Sequence, residues 1–317
     1  MSKIVMSLND QAISVICKVF NCKQSDIYNI QTLKKGMTNR SFTFCINEKK
    51  YIMRIPGEGT ENLINRHNEK AVYDEIMDKN ICDKLYYIDE NNGFKISSFL
   101  ENSRCCNPHN QNDLVMCMKK LKSFHDLRLV VPHTFDLFSQ INFYESLWNE
   151  KSIFSDYEQT KENVFMLKKF IDACKVEKVL CHIDSVPDNF LFCKKDDEAS
   201  AEKAENAEEL QLIDWEYAGM QDPHLDIAMF CVYAMYESQK EIDNLIDIYF
   251  ENNCDDVTRI KIYCYVAVSG LLWSNWCEYK RQLGVEFGEY SLMQYKYAKD
   301  YSKIVFGSDV WKKLIKP

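Results

Sequence analysis

The period of the apolar residues changes once along this chain, near residue 99, and that change limits the folds open to it. Before it lie five short runs rich in β-branched and aromatic residues, at 27–33, 41–46, 51–55, 84–88 and 94–98, separated by polar turns and read as strands. Two helices join them: one over 8–20, capped by Ser7 or Asn9, and one of about twenty residues from a Thr60 cap to Lys79. After Leu100 the pattern is helical, over 110–127, roughly 143–152, 160–174 and most of 222–303. Two apolar runs, around 190–193 and 210–213, are the exception. This layout predicts an α+β chain with a small β-rich N-terminal lobe, 1–98, and a larger, mainly helical C-terminal lobe, 99–317. Between the two late apolar runs lies an acidic low-complexity insert, 194–210, which cannot bury a core and is expected to be a mobile hairpin loop.

Charge and composition narrow the partners. A formal charge of −9 argues against nucleic acid, which requires clustered Lys and Arg, but suits a small cationic substrate. No apolar run approaches the roughly 18 residues of a membrane span, and the first residues lack the apolar core of a secretory signal. The 14 cysteines are scattered through apolar segments without a C-x-x-C pair, and read as buried hydrophobes in a reducing cytoplasm. Nothing in the residues sets an oligomeric state.

The stretch 180–192, LCHIDSVPDNFLF, is strand-like at both ends and polar in the middle, with the spacing H-x-D-x-x-x-x-N from His182 through Asp184 to Asn189. A further carboxylate, Asp214, follows the next apolar run. Two carboxylates and an amide oxygen suit phosphoryl transfer, in which one Asp aligns the attacking hydroxyl and hard oxygen ligands hold Mg²⁺. Spacing alone favours a plain turn, since Asp and Asn are preferred in turns.

The context decides between these. The chain resembles the choline/ethanolamine kinases, especially their bacterial members, within the protein-kinase-like superfamily that includes aminoglycoside phosphotransferases. The resemblance is carried by His182-Ile183-Asp184-Ser185-Val186-Pro187-Asp188-Asn189, Ile213-Asp214-Trp215-Glu216-Tyr217 and Asp222-Pro223-His224-Leu225-Asp226-Ile227-Ala228. Further matches are Gly36-Met37-Thr38-Asn39-Arg40-Ser41-Phe42, Leu272-Trp273-Ser274-Asn275-Trp276 and Glu286-Phe287-Gly288. They occur in the family's order and span nearly the whole chain. The resemblance implies a bilobal protein-kinase-like fold with ATP between the lobes. It implies Asp184 as catalytic base or hydroxyl-orienting carboxylate, and Asn189 and Asp214 as Mg²⁺ ligands. His182 and Asp226 would support the catalytic loop, and Asp188 would be turn chemistry.

For the nucleotide, the resemblance implies phosphate contacts from the Gly36, Thr38 and Asn39 turn and from Arg54. Glu69 would pair with Arg54, although Glu61 and Glu75 stand nearby in sequence. Ser98, Phe99 and Leu100 would form the connector that meets adenine. Trp273 and Trp276 lie three apart on an expected helix and so share a face; such pairs are commonly core, but the resemblance implies that they line a choline site. A trimethylammonium group favours such aromatic faces. Tyr236, Tyr290 and Glu216 are further acceptor-site candidates, with the role of Glu216 open among substrate, metal and neither.

The expected activity is transfer of the γ-phosphoryl group of ATP to the hydroxyl of choline. The alternatives are ethanolamine or an aminoglycoside as acceptor, or a non-catalytic nucleotide or amine sensor on the same fold.

Overall fold

The computed structural model describes residues 3–33, 39–57, 63–194 and 208–315. They form two compact units, Met1–Cys105 with Leu191–Ala218, and Cys106–Phe190 with Gly219–Pro317.

The first unit begins with α1 (Lys3–Phe20), followed by β1 (Tyr28–Leu33), β2 (Asn39–Ile46) and β3 (Lys49–Pro56). α2 (Arg66–Ile76), β4 (Leu85–Ile88), β5 (Lys95–Ser98) and β6 (Arg104–Cys105) follow. The strands β1 to β5 make one antiparallel sheet in the order β1-β2-β3-β5-β4. Helix α1 buries Ala12 and Ile16 in one cluster with Phe44, Met53 and Ile96 of the sheet. Ser7 and Asn9 lie inside α1 rather than before it. α2 is shorter than expected, with 11 residues, because Asn65 caps it by accepting from the His67 and Asn68 N–H groups; Thr60 lies outside the described residues.

The stretch 191–218 belongs with the first unit, which itself runs on to Cys105. Backbone pairing explains this. β8 (Phe190–Lys194) lies between β6 and β9 (Glu208–Leu212), with Arg104 opposite Phe192, and the Leu212 N–H donates to Ile81 O at 3.0 Å. Most of the acidic insert, residues 195–207, lies outside the described residues.

The second unit is helical. α3 (Gln111–Asp126), α4 (Leu137–Ser146), α5 (Tyr157–Met166) and α6 (Lys168–Ala173) precede the short strand β7 (Val179–Cys181). β10 (Gly219–Gln221) pairs antiparallel with β7 and leads into α7 (His224–Tyr233). α8 (Gln239–Tyr249), α9 (Asp256–Gln282), α10 (Glu289–Gly307) and α11 (Asp309–Leu314) complete it. The helix expected at 143–152 instead ends at Ser146, having started from an Asp136 cap, and the one expected at 160–174 is divided at Leu167.

α9 is buried on every face from Ile260 to Glu278, polar Lys261, Asn275 and Glu278 included. Gly270 lets α10 approach it: a Cβ there would stand 2.6 Å from Gln294 O and 2.8 Å from Tyr297 Cβ.

Candidate active site

In the first unit the charged side chains gather around β3. Arg54 faces inward on this strand and is 4% exposed, so it needs a partner to stay charged. Its Nη1 and Nη2 both donate to Glu69 on α2, the latter at 2.8 Å, and Nη2 also donates to Gly93 O at 3.1 Å. Burial alone would lower the Arg54 pKa, but Glu69, with Glu216 and Asp214 beyond it, holds it above its ordinary value. Burial would likewise raise Glu69, and Arg54, Lys95 and Arg66 outweigh it, bringing the carboxyl down to about 2.

Arg66 opens α2 and was not singled out from the sequence. Its Nη1 donates to Glu69 at 2.8 Å and to Glu216 at 3.0 Å, while Nη2 reaches Asn39 Oδ1 at 3.3 Å. Asn39 Nδ2 donates in turn to Glu216 Oε2 at 3.1 Å. Glu216 is thus enclosed by Arg66 and Asn39, with Arg54 3.6 Å away. Gly93 makes the room for this cluster: its φ is +70°, and a Cβ would stand 2.6 Å from Pro56 Cγ and 3.0 Å from Arg66 Nε. Arg54 Nε is buried and has no protein hydrogen-bond partner among the described residues.

Asp214 sits on the turn after β9 with φ +66°, in the left-handed region that a non-glycine residue occupies at a cost. Trp215 anchors that turn, fully buried, with its indole N–H on Leu212 O at 2.8 Å. At the connector, the Ser98 and Phe99 amides are already committed to Lys84 O and Lys50 O, at 2.9 and 3.1 Å. Gly36 and Thr38 lie outside the described residues.

In the second unit β7 delivers His182 and Asp184 into a loop that one carboxylate holds. The His182 and Ile183 N–H groups donate to Asp226 Oδ2 and Oδ1 at 2.8 and 2.7 Å. His125 Nε2 lies 2.9 Å from Asp226 Oδ2, and Ser185 Oγ donates to Asp226 O at 2.7 Å. Ile183, β-branched, has φ +68°; the two amides bound to Asp226 fix this otherwise unfavourable backbone. The His182 side chain is completely buried. Asp188 is exposed on a single 3-10 turn, Pro187–Asn189.

That turn brings Asn189 back to Asp184. Asn189 Nδ2 donates to Asp184 O at 2.9 Å and to Asp184 Oδ2 at 3.2 Å. With its nitrogen so engaged, the amide offers its oxygen elsewhere, which suits a hard cation. Tyr233, the last residue of α7, donates its hydroxyl to Asp184 Oδ1 at 2.5 Å. Sequence reasoning missed it. The signal was its place seven residues after Asp226, two helical turns along the same face.

The Tyr233 ring packs on Trp273, 5.2 Å between centroids, and begins an aromatic series. Trp273 meets Trp276 edge-on at 6.3 Å, Trp276 meets Phe287 at 4.9 Å, and Phe287 meets Tyr290 at 6.4 Å. Burial, with Cys277 and Asp184 nearby, pushes the Tyr290 phenol well above its ordinary value. Both Trp residues are 4% exposed. Tyr236 takes another direction: its hydroxyl donates to Pro108 O at 2.8 Å, and its ring meets that of His109 edge-on at 6.2 Å. A carboxylate and an aromatic series thus share one unit, while the paired arginines and Asp214 belong to the other.

Residues 30–298 match the choline/ethanolamine kinase family. The chain is 28% identical to protein LicA of Haemophilus influenzae (strain ATCC 51907 / DSM 11121 / KW20 / Rd) over 267 residues, which is 81% of this chain and 95% of that one. The crystal structure of choline kinase LicA from Streptococcus pneumoniae superposes with a TM-score of 0.77 at 27% identity, covering 96% of this chain and 100% of that one. A structure of LicA in complex with AMP gives 0.75 at 27% identity over 92% and 98% of the two chains. The chain belongs to the choline/ethanolamine kinase family.

Proposed function

We propose that this protein transfers the γ-phosphoryl group of ATP to the hydroxyl of choline, giving phosphocholine and ADP. The observation that carries this reading is Asp184, held by Asn189 on one oxygen and by Tyr233 on the other, with Tyr233 packed on the Trp273 ring. A hydroxyl-aligning carboxylate therefore adjoins aromatic faces of the kind that bind a quaternary ammonium group.

Asp184 aligns the choline hydroxyl and receives its proton as the new P–O bond forms and the bond from Pγ to the bridging oxygen breaks, releasing ADP. Asn189 would offer its amide oxygen, and Asp214 its carboxylate, each a hard donor of the kind that Mg²⁺ takes. When bound, the ion neutralises charge on the triphosphate. Arg54, Asn39, Gly36 and Thr38 are assigned to the phosphates, and the buried Arg54 Nε, without a protein partner among the described residues, supports a further acceptor there. Adenine meets the connector through the Leu100 N–H and neighbouring carbonyls, since the Ser98 and Phe99 amides are engaged.

Trp273, Trp276, Phe287 and Tyr290 bind the ammonium head. Glu216 is assigned to ordering the arginine cluster rather than to the acceptor, because Arg66 and Asn39 enclose it. His182, completely buried, supports the loop and does not move a proton. The reaction is assigned to the cytoplasm: all fourteen cysteines are free thiols, which suits a reducing compartment. Among the described residues no helix is long and apolar enough to cross a membrane.

An ADP-release assay with Mg²⁺ over choline, ethanolamine and aminoglycosides tests this reading. Choline should lead ethanolamine in kcat/KM by roughly 10-fold or more, because each methyl in an apolar pocket adds discrimination. A preference for ethanolamine or an aminoglycoside would overturn the acceptor assignment. Nucleotide binding without amine-dependent ADP release would make the protein a sensor.

A further inference from the structure

We propose that Tyr233 is a positioning residue for phosphoryl transfer, joining the acceptor pocket to the Asp184 carboxylate; this rests on Asp184 aligning the acceptor hydroxyl. The phenol hydroxyl donates to Asp184 Oδ1 at 2.5 Å, and Asn189 Nδ2 holds Oδ2 at 3.2 Å. The terminal torsion of an aspartate is broad and nearly two-fold. Donors on both oxygens remove that freedom and hold the carboxylate in one orientation.

The same helix controls the main chain of the loop. Asp226, in the first turn of α7, holds the His182 and Ile183 amides, and Tyr233 at its end holds the Asp184 side chain. A single rigid element therefore sets both the backbone and the carboxylate, as near-attack alignment requires. The Tyr233 ring, 5.2 Å from Trp273, is also part of the wall against which the acceptor would sit. One side chain thereby fixes the distance from the ammonium-binding face to the carboxylate that meets the hydroxyl.

The test separates the hydroxyl from the ring. Tyr233→Phe keeps the wall and removes the hydrogen bond. It should lower kcat roughly 10- to 100-fold, the loss typical of a hydrogen bond to a charged group, and leave the choline KM within about 2-fold. Tyr233→Leu should in addition raise KM. Tyr233→His, which returns a ring-borne donor, should recover part of kcat. Added to Asp184→Asn, Tyr233→Phe should cost less than about 3-fold more, because the two groups act as a unit. Wild-type kcat in Tyr233→Phe, a change confined to KM, or independent losses in the double variant would overturn the role of Tyr233 alone. Full turnover in Asp184→Asn would overturn the assignment of Asp184, and this inference with it.

Discussion

At the scale of single residues, the arginine cluster is where chemistry and stability meet. Arg54 and Glu69 are both almost completely buried and make a two-fold contact. Removing one partner of such a pair leaves an uncompensated buried charge, which costs about 3–5 kcal/mol. Glu69→Gln should therefore lower unfolding stability by about 3 kcal/mol in a urea titration, and weaken nucleotide binding as Arg54 turns toward Glu216. An unchanged urea midpoint would show that Arg66 and Glu216 carry the load without it. Sequence made Arg54 conspicuous, as a charge on an apolar strand, and put Glu69 among three acidic candidates. The family resemblance chose Glu69; spacing alone could not, because that choice needs the register of β3 against α2. Arg66 carried no signal of its own: an arginine at a helix start is ordinary until its neighbours in space are known.

At the scale of elements, α9 and α10 show how one missing side chain sets a packing distance. A Cβ at Gly270 would press on the α10 backbone, at Gln294 O and at Ala298 N, 2.6 and 3.0 Å away, where no rotamer change can relieve it. Gly270→Ala gains up to about 1 kcal/mol of helix propensity, yet overpacking typically costs 1–3 kcal/mol. The net effect should be a lower melting temperature. Because Trp273 and Trp276 follow on the same helix, the choline KM should rise as well. A melting temperature raised by the substitution would mean that the helices part freely. The helical period of α9 was legible in the sequence, but the role of Gly270 was not, since it depends on a partner helix some twenty residues further on.

At the scale of the whole molecule, the half-buried His224 and the buried Glu69 predict acid sensitivity in two stages. Burial lowers His224 from 6.5 to about 4, assisted by Lys261 and opposed by Asp222. An imidazole whose pKa falls on folding contributes stability above pH 6.5, and that contribution is lost as pH falls from 6.5 toward 4. Glu69, lowered from 4.5 to about 2, contributes above pH 4.5 and is lost between 4.5 and 2. Urea midpoints measured at successive pH values should fall in that order, and His224→Gln should remove the upper stage while leaving the lower. A single transition unaffected by His224→Gln would sink this account.

The α+β class was readable from the chain, because strand and helix periods are local properties, and motif spacing was enough to put Asp184, Asn189 and Asp214 forward as a candidate site. The regrouping of 191–218 with the first unit was not, since it rests on β8 pairing with β6 across more than eighty residues of chain. The tertiary structure likewise turned Tyr236 toward Pro108, enclosed Glu216 between Arg66 and Asn39, and set Tyr233 on Asp184. In each case the deciding quantity is the direction of a side chain relative to residues distant in sequence. Local periodicity sets the element, and only packing sets which way its side chains meet.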